Sequence, residues 1–85
     1  MKVVIVYRNE SDHAREVIDY LRDFERQTGR TIATLDPDSK DGIDTCRAYD
    51  IVQYPTVMAT SDDGHLLNTW VGTPLPTISE VSYYA

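Results

Sequence analysis

A single thiol is the most reactive side chain in the sequence. Cys46 is the one cysteine among 85 residues, so the chain forms no internal disulfide and offers a metal no site built from several cysteines. Cys46 lies on the same side of a predicted helix as Ile43 and Tyr49. A free cysteine in such a place usually packs as a small hydrophobic group. We predict this role for Cys46, with redox chemistry at the lone thiol as the alternative.

Ser11 and His13 form the second combination that suggests chemistry, because an imidazole can activate a hydroxyl as a nucleophile. The two residues are two positions apart near the start of a predicted helix, and helical residues at that spacing do not face each other. We therefore predict that Ser11 caps the helix N-terminus and that His13 is a polar surface residue. General-base chemistry at His13 is the alternative.

Carboxylates are densest at Asp36, Asp38, Asp41 and Asp44. Such a group suggests a cation, but a Ca²⁺-binding EF-hand loop needs glycine at its sixth position. Counting from Asp36, the sixth position is Asp41, so the pattern fails. We predict that these side chains cap helices or face solvent, and that the protein uses no metal and no cofactor.

Length and charge exclude further classes of function. A chain of 85 residues makes one domain, residues 1–85, because a second unit would not bury its own core. A net charge of −6 and a pI of about 4.6 argue against nucleic acid and anionic membranes, which attract clusters of Lys and Arg. No apolar run approaches the roughly 20 residues of a membrane span. With one cysteine, this composition predicts a cytoplasmic protein.

Hydrophobic periodicity predicts the elements that position these residues. The run from Val3 to Val6 is continuous and β-branched, which is typical of a strand with both faces covered. Asp62-Asp63-Gly64 is a strong hairpin signal. The predicted strands are Lys2–Tyr7, Thr31–Leu35, Thr56–Thr60 and Leu66–Val71, and the predicted helices are Asp12–Thr28, Asp41–Tyr49 with Asp41 as its cap, and Thr77–Tyr84.

The order β-α-β-α-β-β-α predicts an α/β domain with a four-stranded mixed sheet and helices on both faces. Within it, the segment Ile51-Val52-Gln53-Tyr54-Pro55-Thr56-Val57 resembles the part of the thioredoxin-like superfamily that leads into the third strand. Gly64 and the strand end Trp70-Val71-Gly72 also fit that family. The resemblance covers nearly the whole chain and implies a small thioredoxin-like domain of glutaredoxin size, in which Pro55 follows a cis peptide bond.

One departure from the family bears directly on function. The family's redox motif, Cys-x-x-Cys, falls between the first strand and the first helix, and here that window runs from Arg8 to Arg15 without a cysteine. The resemblance places the motif at Ser11–Ala14 or one residue later. On the first alignment Ser11 stands at the nucleophile position, and a serine hydroxyl forms no disulfide. The elements typical of glutathione binding, Thr-Val-Pro and Gly-Gly-x-Asp, are also missing, so glutathione is not an expected ligand.

The resemblance implies that the proline segment borders a groove for extended peptide, bound through main-chain hydrogen bonds. We therefore expect a module that binds protein or peptide and lacks dithiol activity. The candidate binding residues are Ser11, Asp12, His13, Ala14, Tyr54, Pro55 and Thr56. Two alternatives stay open: a redox protein that uses Cys46 alone or with a partner's thiol, and a structural subunit or homodimer formed through an exposed sheet edge.

Overall fold

The seven elements of the structure follow the predicted order. The computed structural model describes residues 1–85. Its strands are β1 (Lys2–Val6), β2 (Ala33–Leu35), β3 (Thr56–Thr60) and β4 (Leu66–Val71), and its helices are α1 (Ala14–Thr28), α2 (Lys40–Tyr49) and α3 (Ile78–Ser82). The α/β class is confirmed, and the bounds of β3 and β4 match the prediction. None of the three helices combines the length and the apolar character needed to cross a membrane.

The four strands form one mixed sheet in the order β2-β1-β3-β4. β1 runs parallel to β2 and antiparallel to β3, and β3 runs antiparallel to β4. Ile5 is therefore paired with Thr34 on one side and with Val57 on the other. A register shift after Ala59 leaves Leu67 as the extra residue of β4. The carboxyl ends of β1 and β2 and the start of β3 consequently meet at one edge of the sheet.

Each face of the sheet has its own apolar core, as predicted. On one face, strands β1 and β3 pack with α1 and α3, and the buried side chains are Val3, Ile5, Tyr7, Ala14, Val17, Phe24, Ile32, Val57, Ala59 and Val81. On the other face, Val4, Val6 and Met58 are covered by residues of α2 and of the segment that follows it. No side chain from Val3 to Val6 is more than 7% exposed. The continuous apolar run of β1 is thus explained by alternate residues entering opposite cores.

The start of α1 differs from the prediction. The helix begins at Ala14 rather than Asp12, and its N-cap, His13, makes no side-chain capping bond. The hydroxyl of Ser11 donates to the carbonyl of Arg8 at 2.6 Å instead. The prediction that Ser11 caps the helix is therefore wrong, because this hydroxyl is bonded within the β1–α1 loop.

The starts of the other two helices also differ from the prediction. Ser39 caps α2, where its Oγ accepts from the amide of Gly42 at 3.0 Å, whereas Asp41 lies inside the first turn. Thr77 caps α3 in a reciprocal pair with Glu80, so Thr77 precedes the helix. β2 is shorter than predicted because its pairing with β1 begins only at Ala33.

Gly42 marks a close approach between α2 and the loop after β2. A Cβ atom on this residue would lie 1.7 Å from the carbonyl oxygen of Asp36 and 2.9 Å from the Cα of Pro37. Both neighbours are backbone atoms, so neither can move aside as a flexible side chain would. The seating of α2 on the sheet therefore requires glycine at this position.

We predict that Gly42→Ala lowers the free energy of unfolding by about 1–3 kcal/mol, a typical cost of overpacking. Helix propensity alone would make the alanine variant more stable by about 1 kcal/mol. The expected change in the free energy of unfolding therefore has the opposite sign to the change that propensity predicts. Urea unfolding followed by circular dichroism measures the difference. The control Asp44→Ala changes an exposed residue of the same helix and should shift stability by no more than about 0.5 kcal/mol. A more stable Gly42→Ala variant contradicts the close approach.

Candidate functional site

The candidate site lies at the sheet edge where the β1–α1 loop, the β2–α2 loop and the segment before β3 meet. The peptide bond between Tyr54 and Pro55 is cis. The carbonyl of Pro55 accepts from the amide of Gly72 at 2.8 Å, which ties this turn to the end of β4. The backbone of the turn is therefore fixed from the side of the sheet, while the half-buried ring of Tyr54 stands at the edge.

Arg8 connects the three segments. Its Nε and Nη2 atoms donate to the two carboxylate oxygens of Asp38 at 3.0 and 3.2 Å, and its Cζ lies 4.8 Å from the centroid of the Tyr54 ring. The hydrogen bond to Asp38 and the charge of that carboxylate raise the pKa of Arg8 above its ordinary value. Both side chains are solvent-exposed, so the ion pair adds little stability. Its effect is to hold the guanidinium over the ring of Tyr54.

Ser11 and His13 both bond to the backbone of Arg8 and not to each other. The hydroxyl of Ser11 donates to the Arg8 carbonyl, and the Arg8 amide donates to His13 Nε2 at 3.4 Å. The His13 ring also meets the edge of the Tyr7 ring, with centroids 6.4 Å apart. This arrangement contains no nucleophile–base contact, and the two side chains instead shape the loop.

Cys46 lies on the α2 face of the sheet, beside Tyr54. The thiol is half-buried and packs with Tyr54 against the core formed by Val4, Val6 and Met58. Burial raises the pKa of the Tyr54 phenol, and the neighbouring Cys46 thiol raises it further. The only thiol of the chain is thus next to the proline turn and is separate from the β1–α1 loop.

The seven candidate residues differ in how far their side chains are exposed to solvent. Ala14, Pro55 and Thr56 are buried, so their side chains are not presented to a partner, and the Thr56 hydroxyl donates to the carbonyl of Gln53 at 2.6 Å. Asp12 is exposed, and the remaining three candidates are half-buried. A partner at this edge would therefore touch Tyr54 and the side chains of the β1–α1 loop.

The pairing of Arg8 with Asp38 was not predicted from the sequence. A signal for them was present, because the carboxyl ends of two neighbouring parallel strands lie side by side, and a residue just after each strand can meet its counterpart. Arg8 follows β1 and Asp38 follows β2. The acidic group around Asp36 is otherwise used within its own loop, where Asp36 Oδ1 accepts from the Asp38 amide at 2.9 Å. The structure contains no group of three or more His, Cys, Asp or Glu side chains that could hold a metal ion.

The comparisons with known proteins identify the fold. No protein-family model and no curated protein sequence matches this chain. Among solved structures, the chain is similar to thioredoxin 1 from the thermophilic eubacterium Thermosipho africanus TCF52B, with a TM-score of 0.66 over 99% of this chain and 89% of that chain, at 13% sequence identity. This likeness confirms the resemblance that the segment around Pro55 indicates: the chain has the thioredoxin-like fold.

Proposed function

We propose that this domain binds an extended peptide segment of a partner protein at the edge formed by Tyr54, Pro55 and Thr56 and by the loop Ser11–Ala14, without thiol–disulfide exchange. The observation that carries the proposal is the packing of Arg8, from a loop that has no thiol, on the ring of Tyr54 in the proline turn before β3. The turn supplies a fixed backbone and an aromatic side chain. The loop supplies polar side chains and no redox group.

Exchange within the chain is excluded by its chemistry. A dithiol mechanism needs a second thiol to resolve the mixed disulfide formed by the first, and the sequence contains one cysteine. Ser11, at the loop, cannot take part in a disulfide, and its hydroxyl is already bonded to the Arg8 carbonyl. Binding through this edge is the activity that the same geometry still supports.

We propose that Tyr54 is the side chain of this domain that makes the main contact with the partner. Tyrosine offers a large, amphipathic contact surface and is enriched in protein interfaces. The Arg8 guanidinium packs on its ring at 4.8 Å, and the pair with Asp38 holds the guanidinium in turn. This support restricts the ring before a partner arrives, and such preorganisation lowers the entropy lost on binding.

We predict that peptides selected from a displayed random library against this domain lose affinity by roughly 30-fold in the variant Tyr54→Ala, which is the effect of losing an interface hot spot of about 2 kcal/mol. Calorimetry measures the affinity, and amide chemical shifts map the contact. The expected changes centre on Tyr54–Thr56 and Arg8–His13.

The variant Tyr83→Ala is the matched control, because Tyr83 is an exposed tyrosine at the far end of the chain (73% exposed). It should bind the same peptides as the unmodified protein. The proposal fails if selection yields no peptide, or if the selected peptides bind Tyr54→Ala as tightly as the unmodified domain.

The half-buried position of Cys46 beside Tyr54 favours one rival function, a redox role for the lone thiol. Under the binding proposal, the only role of Cys46 is to pack against the core. We therefore predict that its thiol reacts with a disulfide reagent more slowly in the folded protein than in the protein unfolded in urea. Tyr54→Ala should accelerate the reaction of the folded protein, because it removes a large side chain that neighbours the thiol. A folded-state rate above the unfolded-state rate identifies an activated thiol and favours the redox function.

A further inference from the structure

A second concave surface lies on the α2 face of the sheet, beside the end of that helix. It is a cleft of about 260 Å³ between the end of α2 and β4. Met58 and Thr69 lie in its floor, and they are register partners on β3 and β4. Cross-strand partners in an antiparallel pair share one face of the sheet. The cleft exists because α2, the single helix on this face, packs over β1 and β3 and leaves β4 uncovered.

The rim of the cleft is apolar and open to solvent. Val52 is 78% exposed, Val71 is 57% exposed and Leu66 is 43% exposed, and all three line the cleft. Isolated apolar side chains are common on protein surfaces, whereas a group of them around one concavity marks an interaction site. The occupant must therefore supply apolar surface.

The electrostatics of the cleft favour a cation. Asp50 is the only charged residue in its lining, and no Lys, Arg or His side chain pairs with it. The residue forms the C-cap of α2, so its carboxylate adds to the partial negative charge at the C-terminal end of that helix. The backbone of Asp50 is left-handed, with φ of 60°, a conformation that glycine adopts at lower cost.

The free edge of β4 is less available than the cleft. The amide of Thr69 donates to the Oδ1 atom of Asn68 at 2.8 Å, so this backbone donor is already occupied by a side chain. Asn68 Nδ2 in turn donates to the Tyr84 hydroxyl at 3.4 Å. An incoming strand would have to displace this bond. An inserted side chain would not.

We propose that the cleft binds a linear segment of another protein in which an apolar side chain is followed by Lys or Arg. The apolar side chain enters between Val52, Leu66 and Val71, and the cation pairs with Asp50. A second copy of this chain is a poor occupant, because each copy carries a net charge of −6 and like charges oppose association. This site adjoins the edge at Tyr54, because Thr56 borders both. The residues assigned to contact the occupant, Asp50, Val52, Leu66 and Val71, lie outside that edge, so the two proposals are tested by different residues.

The test uses two blocked peptides, acetyl-Ala-Leu-Lys-Leu-Ala-amide and the same sequence with Glu in place of Lys, titrated into the ¹⁵N-labelled full chain. The Lys peptide should shift the amides of Asp50–Gln53 and of Leu66–Val71. It should bind roughly fivefold more tightly than the Glu peptide, the effect of one exposed charge pair. No shift at millimolar peptide, or shifts confined to Arg8–His13 and Tyr54, would overturn the proposal.

Three variants locate the interaction. Asp50→Asn should abolish the preference for Lys over Glu while keeping the fold, because asparagine tolerates the left-handed conformation. Val71→Ser should weaken both peptides equally. Asp44→Asn removes an exposed charge from the same helix outside the cleft and should leave the preference intact, as should Tyr54→Ala. A preference that survives Asp50→Asn, or one that is lost in Asp44→Asn, contradicts the assignment.

Discussion

The burial of β1 on both faces is the constraint on which the rest of the structure depends. Four successive side chains, Val3 to Val6, are at most 7% exposed, so each face of the sheet must carry a helical layer. A strand without access to water must also bond its backbone on both edges, and β2 and β3 provide these partners. The parallel pairing with β2 in turn requires a crossover, which α1 supplies.

The same constraint places the candidate site. Because β1 ends at Val6 inside the sheet, the next exposed residue, Arg8, emerges beside the carboxyl end of β2 and the start of β3. The side chain of Arg8 reaches Asp38 on one neighbour and Tyr54 on the other. The contacts of the site are thus consequences of strand order. They depend on β1 lying between its two partners.

The sequence was sufficient to predict features that depend on local residue signals. It was insufficient where two such signals compete, or where the interacting residues are far apart in the chain. Pro55 and the Asp62-Asp63-Gly64 turn delimit β3 and β4, and the bounds of both strands were predicted correctly. Ser39 and Asp41 are both good helix caps, and only the packing of α2 on its loop decides between them. The pair of Arg8 with Asp38 spans 30 positions, so it becomes visible only when β1 and β2 are placed side by side.

The β1–α1 loop contains no cysteine, and two of its polar side chains are bonded to its own backbone. A redox thiol at a helix N-terminus must be unbonded and accessible, because its sulfur has to attack another disulfide. In this loop the hydroxyl of Ser11 donates a hydrogen bond to the Arg8 carbonyl, and His13 Nε2 accepts one from the Arg8 amide. Both side chains therefore hold Arg8 in position, and Arg8 holds the ring of Tyr54. In the binding function that we propose, the polar groups of this loop therefore support the surface that contacts the partner.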